Sequence, residues 1–232
     1  AVKDMVQNHL LQVLSIVAME EPKEEGSRGI HDSQYSLLSK LVPITNVNDS
    51  LVMAQYEGYL DEENISKDSK TETYAALKLF IDNERWQGVP FFIRTGKKMG
   101  DRETQIVVQF KAVGDIPGNV LIIKIQPDEG VYFQFNAKKP GTEQELQQIS
   151  LDFCQSCILE NRINTPEAYE RLLDACFKGD HALFSQWDQI VVSWTFVNDL
   201  LAKYYKQGAP LYTYKQGSMG PEKANEFVDW IR

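Results

Sequence analysis

The chain has 232 residues, a net charge of -9 and 43% hydrophobic residues, enough apolar side chain for a substantial core in one large domain or two small ones. The acidic balance argues against a nucleic-acid or anionic-membrane partner, because a phosphate backbone is held by many Lys and Arg gathered in one patch. No run approaches the roughly 20 consecutive apolar residues of a membrane span. The first residues lack the charged, apolar and small-residue zones of a signal peptide, which leaves open a targeting signal in a preceding part; a cytoplasmic location is the expectation.

The first element is a helix, AVKDMVQNHLLQVLSIVAMEEP (1–22). At about 100° per residue, Val2, Met5, Val6, Val13 and Ile16 fall within about 60° of His9, which places an imidazole in an apolar stripe. One reading is a buried, hydrogen-bonded core histidine. The other is a general base whose tautomer is fixed by a further group. Asp4 lies five residues earlier and points about 140° away on a regular helix, so joint action needs Asp4 at the helix entrance; an N-cap role is the plain alternative. Because the chain begins inside a helical pattern with no upstream cap, it is expected to be the tail of a longer polypeptide.

EEPKEEGSRGIHDS (20–33) is charged, Gly- and Pro-punctuated and without hydrophobic period, and reads as an exposed loop with His31 solvated. SLVMAQYEGYL (50–60) suggests a strand and DEENISKDSK (61–70) another loop. TYAALKLFI, PFFIRT, TQIVVQF, NVLIIKIQ and GVYFQF then read as a block of strands, with connections short enough for antiparallel neighbours. Alternation of Ile106, Val108 and Phe110 with Gln105, Val107 and Gln109 fits a sheet with one face more buried. Helical period returns at TPEAYERLLDACFKG, with Thr165 as N-cap, Pro166 at the first helical position and Gly179 as the stop, and again at QIVVSWTFVNDLLAKYY. The tail is punctuated by Gly and Pro before a short helical pattern. Helices flanking a strand block without βα alternation give an α+β class. With neither repeat nor linker, 1–232 reads as one domain.

Three cysteines, Cys154, Cys157 and Cys176, make an odd, low count that points to a reducing compartment. The C-x-x-C pair is expected to be buried or half-buried thiols on a helix, because a zinc site needs two further ligands at short spacing; no metal is expected. Neither a G-x-G-x-x-G after a strand, a P-loop nor a G-x-S-x-G is present, so the chain has no dinucleotide-binding fingerprint of its own.

The densest positive cluster is RTGKKMGDR (94–102), a strand end entering a Gly-containing turn. Arg94, Lys97, Lys98 and Arg102 could converge on a small dianion such as a sugar phosphate, or form an ordinary solvated loop. Lys124 and Gln126 share one face of a strand, and an amide at its end can hydrogen-bond a sugar hydroxyl.

DMVQNHLLQ, VAMEEP, NERWQGVPFFIRTGKKM, IKIQPDEGVYFQFNAKKPG, PEAYERLLDACFKGD and GSMGP, in this order across essentially the whole chain, resemble the C-terminal domain of glucose-6-phosphate dehydrogenase, of bacterial type. The resemblance implies a large, mainly antiparallel sheet with helices packed on one face and a homodimer formed through the sheet. It also implies that the Rossmann coenzyme domain lies in a preceding part absent from this chain. The implied reaction oxidises glucose 6-phosphate to the lactone with hydride transfer to NADP. His9 matches the base, Asp4, Lys97, Arg102 and Gln126 match substrate-binding residues, and Arg94 is carried over as a coenzyme contact. The base-orienting aspartate and the phosphate-binding histidine belong to the missing part, so the chain alone is expected to be inactive. Lys3 replaces the usual Arg before the aspartate, keeping the charge and losing a planar fork of donors. Gln134 and Met219 stand where a second, structural NADP would require Lys and Arg, and no structural NADP is expected. The competing reading is a noncatalytic dimerisation or sugar-phosphate-binding module with the same fold.

Overall fold

The strands read between residues 50 and 135 form at those positions in the computed structural model of the protein, which describes residues 1–127, 129–141, 145–154, 157–158, 160 and 168–231. They are β1 (Leu51–Tyr56), β2 (Tyr74–Leu79), β3 (Phe91–Gly96), β4 (Thr104–Gln109), β5 (Val120–Gln126) and β6 (Gly130–Lys138). Two further strands, β7 (Leu146–Cys154) and β8 (Leu211–Tyr214), were not expected from the sequence. Contacts gather into two compact units where one domain was expected: Ala1–Gly100 with Leu172–Trp230, and Asp101–Arg171 with Ile231–Arg232.

The first unit holds the sheet β3-β2-β1-β8, antiparallel except for the parallel β1–β8 pair. Helices cover one of its faces. A π-helix over Val2–Leu10 continues as α1 (Leu11–Ala18), and with α2 (Ser27–Leu38) and α4 (Trp187–Gln207) it buries Leu51, Met53, Ala75 and Leu77 against Val6, Leu11, Leu38 and Leu200. The opposite face, with Val52, Ala54 and Tyr74, is covered by the C-terminal segment through Ala224, Phe227 and Trp230. Burial on both sides explains why β1 and β2 read as continuous apolar runs. In chain order α3 (Ala168–Lys178) follows β7 and stops at Gly179 in the left-handed conformation, φ 68°, as the sequence indicated. Thr165 and Pro166 lie outside the described residues.

Two segments far apart in the sequence are joined in space. The Trp86 indole donates to the carbonyl of Ala18 at 2.8 Å, closing the C-terminus of α1, and Arg85 pairs with Glu20 at 2.9 Å. NERW and VAMEE are thus two sides of one helix stop.

Three expectations need correction. Residues 27–33 belong to helix α2 rather than to a loop, and His31 is buried, 7% exposed. The period was hidden because the inward face is polar in the first half of the helix, where His31 and Gln34 are set against Gln189 of α4. Cys154 ends β7 and Cys157 sits in the following turn, joined by a disulfide; they are not thiols on a helix. Cys176, on α3, is exposed.

The second unit carries the antiparallel sheet β4-β5-β6-β7. The register aligns Val131 with Phe153, Phe133 with Leu151 and Phe135 with Ile149, so one face is apolar across the sheet. Leu151 and Phe153 on it are 62% and 60% exposed. The other face contains the more buried Val120 and Ile122.

Candidate functional site

In the first helix the backbone N–H groups of Val6 and Leu11 donate to carbonyls five residues back, those of Ala1 and Val6. This wider winding brings residues five apart to within about 50° of each other around the axis, where an α-helix sets them about 140° apart. Asp4, in the first turn of the helix, and His9, in its last, are both exposed and share a face. The same winding turns Val2, Val6 and Gln7 inward and takes His9 out of the apolar stripe in which regular geometry placed it. His9 is not a core histidine. Among the described residues no side chain hydrogen-bonds its ring.

The start of this helix is tied to the cation turn through two adjacent residues. Glu72, its carboxylate half-buried, accepts the Val2 N–H at 2.8 Å. The next residue, Thr73, accepts the Lys97 N–H at 2.9 Å through its carbonyl. Gly96, just before Lys97, packs so closely on Tyr74 and Met99 that an added Cβ would come within 2.7 Å of both. After Lys97 the chain reverses at Lys98, φ 49°, and the turn is pinned by Gly217 N–H on the Lys98 carbonyl, 2.8 Å, and Gly100 N–H on the Ser218 carbonyl, 3.0 Å.

The four cations have different commitments. Lys98 is ion-paired with Glu62 and lies 4.6 Å over the Tyr56 ring, whose hydroxyl also donates to Glu62 at 3.2 Å. The hydrogen bond from Lys98 holds the Glu62 carboxyl below its ordinary value and raises that of the ammonium in turn. Arg94, half-buried on β3, sets its guanidinium 4.5 Å from the Trp230 ring centroid. Lys97 and Arg102 are exposed. Glu62 was invisible to sequence reasoning because its loop has no period, and its partner lies 36 residues away.

Arg102 and Gln126 belong to the second unit. Gln126 pairs with Thr104, and Arg102 precedes Thr104 by two residues, so both lie at one end of the β4–β5 pair. Gln126 is exposed, whereas Lys124 on the same strand is half-buried with its ammonium 5.2 Å over Tyr132. Among the described residues no group of three His, Cys, Asp or Glu is placed to hold a metal ion, and no helix is long and apolar enough to cross a membrane.

Residues 1–230 match the family model described as glucose-6-phosphate dehydrogenase, C-terminal domain. The chain is 40% identical to a glucose-6-phosphate 1-dehydrogenase of Bacillus subtilis, over 98% of this chain and 50% of the relative. It is 42% identical to the enzyme of that name from Aggregatibacter actinomycetemcomitans, over 98% and 49%. A solved glucose-6-phosphate dehydrogenase in complex with its substrate glucose 6-phosphate superposes with a TM-score of 0.89 at 37% identity, covering 97% of this chain and 49% of that one. The chain thus spans about half the length of the relatives it matches.

Proposed function

Since the chain belongs to the family of glucose-6-phosphate dehydrogenase C-terminal domains, we propose that it supplies the substrate side of an enzyme oxidising glucose 6-phosphate to the lactone, and is inactive without a coenzyme-binding half. The observation that carries this reading is the π-helical winding, which sets Asp4 and His9 on one exposed face of a helix tied through Glu72 and Thr73 to Lys97.

In this reading the His9 imidazole takes the proton of the 1-hydroxyl as general base, and Asp4 accepts hydrogen bonds from the sugar. Lys97 and Arg102 hold the substrate as cations, and Gln126 contacts a hydroxyl. NADP, when bound, accepts the hydride leaving C1. Arg94 is the residue of this chain assigned to the coenzyme, as a planar, permanently charged group held 4.5 Å from the Trp230 ring centroid. The apolar face of the second sheet, rich in exposed Leu and Phe, is assigned to a homodimer contact, since exposed patches of this kind are normally covered. The compartment proposed with this reaction is the cytoplasm.

The test is His9→Asn in the full-length polypeptide carrying this chain. Loss of a general base lowers kcat by about 10²- to 10⁴-fold, with the KM for glucose 6-phosphate nearly constant. Unchanged turnover removes His9 from the role.

A further inference from the structure

We propose that Tyr214 is a positioning residue for Lys97: its buried hydroxyl fixes the peptide plane from which the Lys97 ammonium reaches the substrate. The inference rests on the substrate-site reading above and extends it to a residue that contacts no substrate.

Tyr214 ends β8, and its ring is 3% exposed. Its Oη donates to the Lys97 carbonyl at 2.7 Å and lies 3.1 Å from Thr73 Oγ1 and 3.3 Å from the Thr73 carbonyl. The preceding peptide is held by the Lys97 N–H, bonded to that same Thr73 carbonyl. Thr73 Oγ1 is itself anchored, accepting the Tyr56 N–H at 3.0 Å. Lys97 therefore leaves the sheet with both its N–H and its C=O engaged, one residue before the chain turns through a positive φ at Lys98. The turn is pinned besides by backbone bonds between Gly217 and Lys98 and between Gly100 and Ser218, and by the ion pair of Lys98 with Glu62. Tyr214 is the side chain whose replacement can release Lys97 without breaking them.

The ring itself is held independently of the hydroxyl. It packs against Tyr74 with centroids 5.4 Å apart and against Tyr56 at 6.3 Å. Phenylalanine keeps those contacts and removes only the donor. Burial raises the Tyr214 phenol above its ordinary value, so the donor persists through the neutral range. A freed carbonyl in this pocket must turn toward water to be satisfied, and that rotation carries the Lys97 side chain with it.

The experiment compares Tyr214→Phe, Lys97→Gln and the double variant in the full-length polypeptide with glucose 6-phosphate and NADP. Tyr214→Phe is expected to raise the KM for glucose 6-phosphate roughly three- to thirtyfold, with kcat and the KM for NADP within twofold. In the Lys97→Gln background the same change adds nothing, because the effect passes through Lys97. Equal loss of kcat and of affinity for both ligands, or a further KM rise in the double variant, overturns the inference in favour of a purely structural role. If Lys97→Gln raises KM and Tyr214→Phe does not, the inference fails and the substrate site stands. If Lys97→Gln itself has no effect, the assignment of Lys97 falls, and the inference with it.

Discussion

Gln189 lies wholly out of solvent and joins three helices. Its Nε2 donates to Gln34 Oε1 and to the His31 carbonyl, both at 3.1 Å, and its Oε1 accepts the Gln186 N–H at 3.1 Å in the capping box that begins α4. Gln34 Nε2 passes the chain on to Ser15 Oγ of α1 at 3.2 Å. Replacing Gln189 with Leu leaves almost no cavity, since the volumes are similar, but strands the amide oxygen of Gln34 and the capped N–H of Gln186. A buried acceptor without partner costs about 1–3 kcal/mol, and the lost cap about 0.5–2 kcal/mol. The expected destabilisation is therefore about 2–4 kcal/mol, a large part of the roughly 5–15 kcal/mol that holds a domain folded. Urea denaturation followed by far-UV circular dichroism measures it as a fall in midpoint at constant m. Adding Gln34→Leu removes the stranded amide, so the double variant should be at least about 1 kcal/mol more stable than the sum of the two single losses implies. Additive losses, or a Gln189→Leu cost below about 0.5 kcal/mol, would refute the network.

Two other outcomes follow from exposed and from buried side chains. Leu151→Glu, on the open apolar face of the second sheet, should shift the full-length protein from dimer to monomer in sedimentation velocity; an unchanged dimer places the contact elsewhere. Burial pushes the Tyr74 phenol up from 10.0 to about 12. The unfolded chain therefore loses this proton first as pH rises, so the stability is whole below pH 10 and falls by up to about 3 kcal/mol between pH 10 and 12. Among the described residues the Tyr74 Oη has no hydrogen-bond partner, so Tyr74→Phe should be nearly neutral at pH 7 and should flatten the alkaline fall; an unchanged slope refutes the assignment.

Legibility differed by element for identifiable reasons. β1 to β6 were readable because β-branched and aromatic runs between turns carry their own period. β8, four residues long, exists through a parallel pairing with β1, more than 150 residues earlier in the chain, and has no local signature strong enough to announce it. β7 does alternate, with Ile149, Leu151 and Phe153 on one face, so its signal is local and present in the sequence. Helix α2 has the opposite character: the inward residues of its first two turns, Gly29, His31 and Gln34, are not apolar, and only Leu37 and Leu38 at its end carry an apolar signal.

For the candidate site, residue types and spacing singled out Asp4, His9 and the cations of 94–102, and the family resemblance gave them roles. Sequence alone also bounded the class, the acidic balance and the lack of a coenzyme fingerprint. Only the tertiary structure decided that the first helix winds wide enough to set Asp4 and His9 on one face, that Lys98 is committed to Glu62, and that Arg94 lies against Trp230. Tyr214 and Thr73 meet across 141 residues of sequence. A hydrogen bond of that span leaves no trace in a local pattern, because one hydroxyl and one carbonyl specify it and neither repeats.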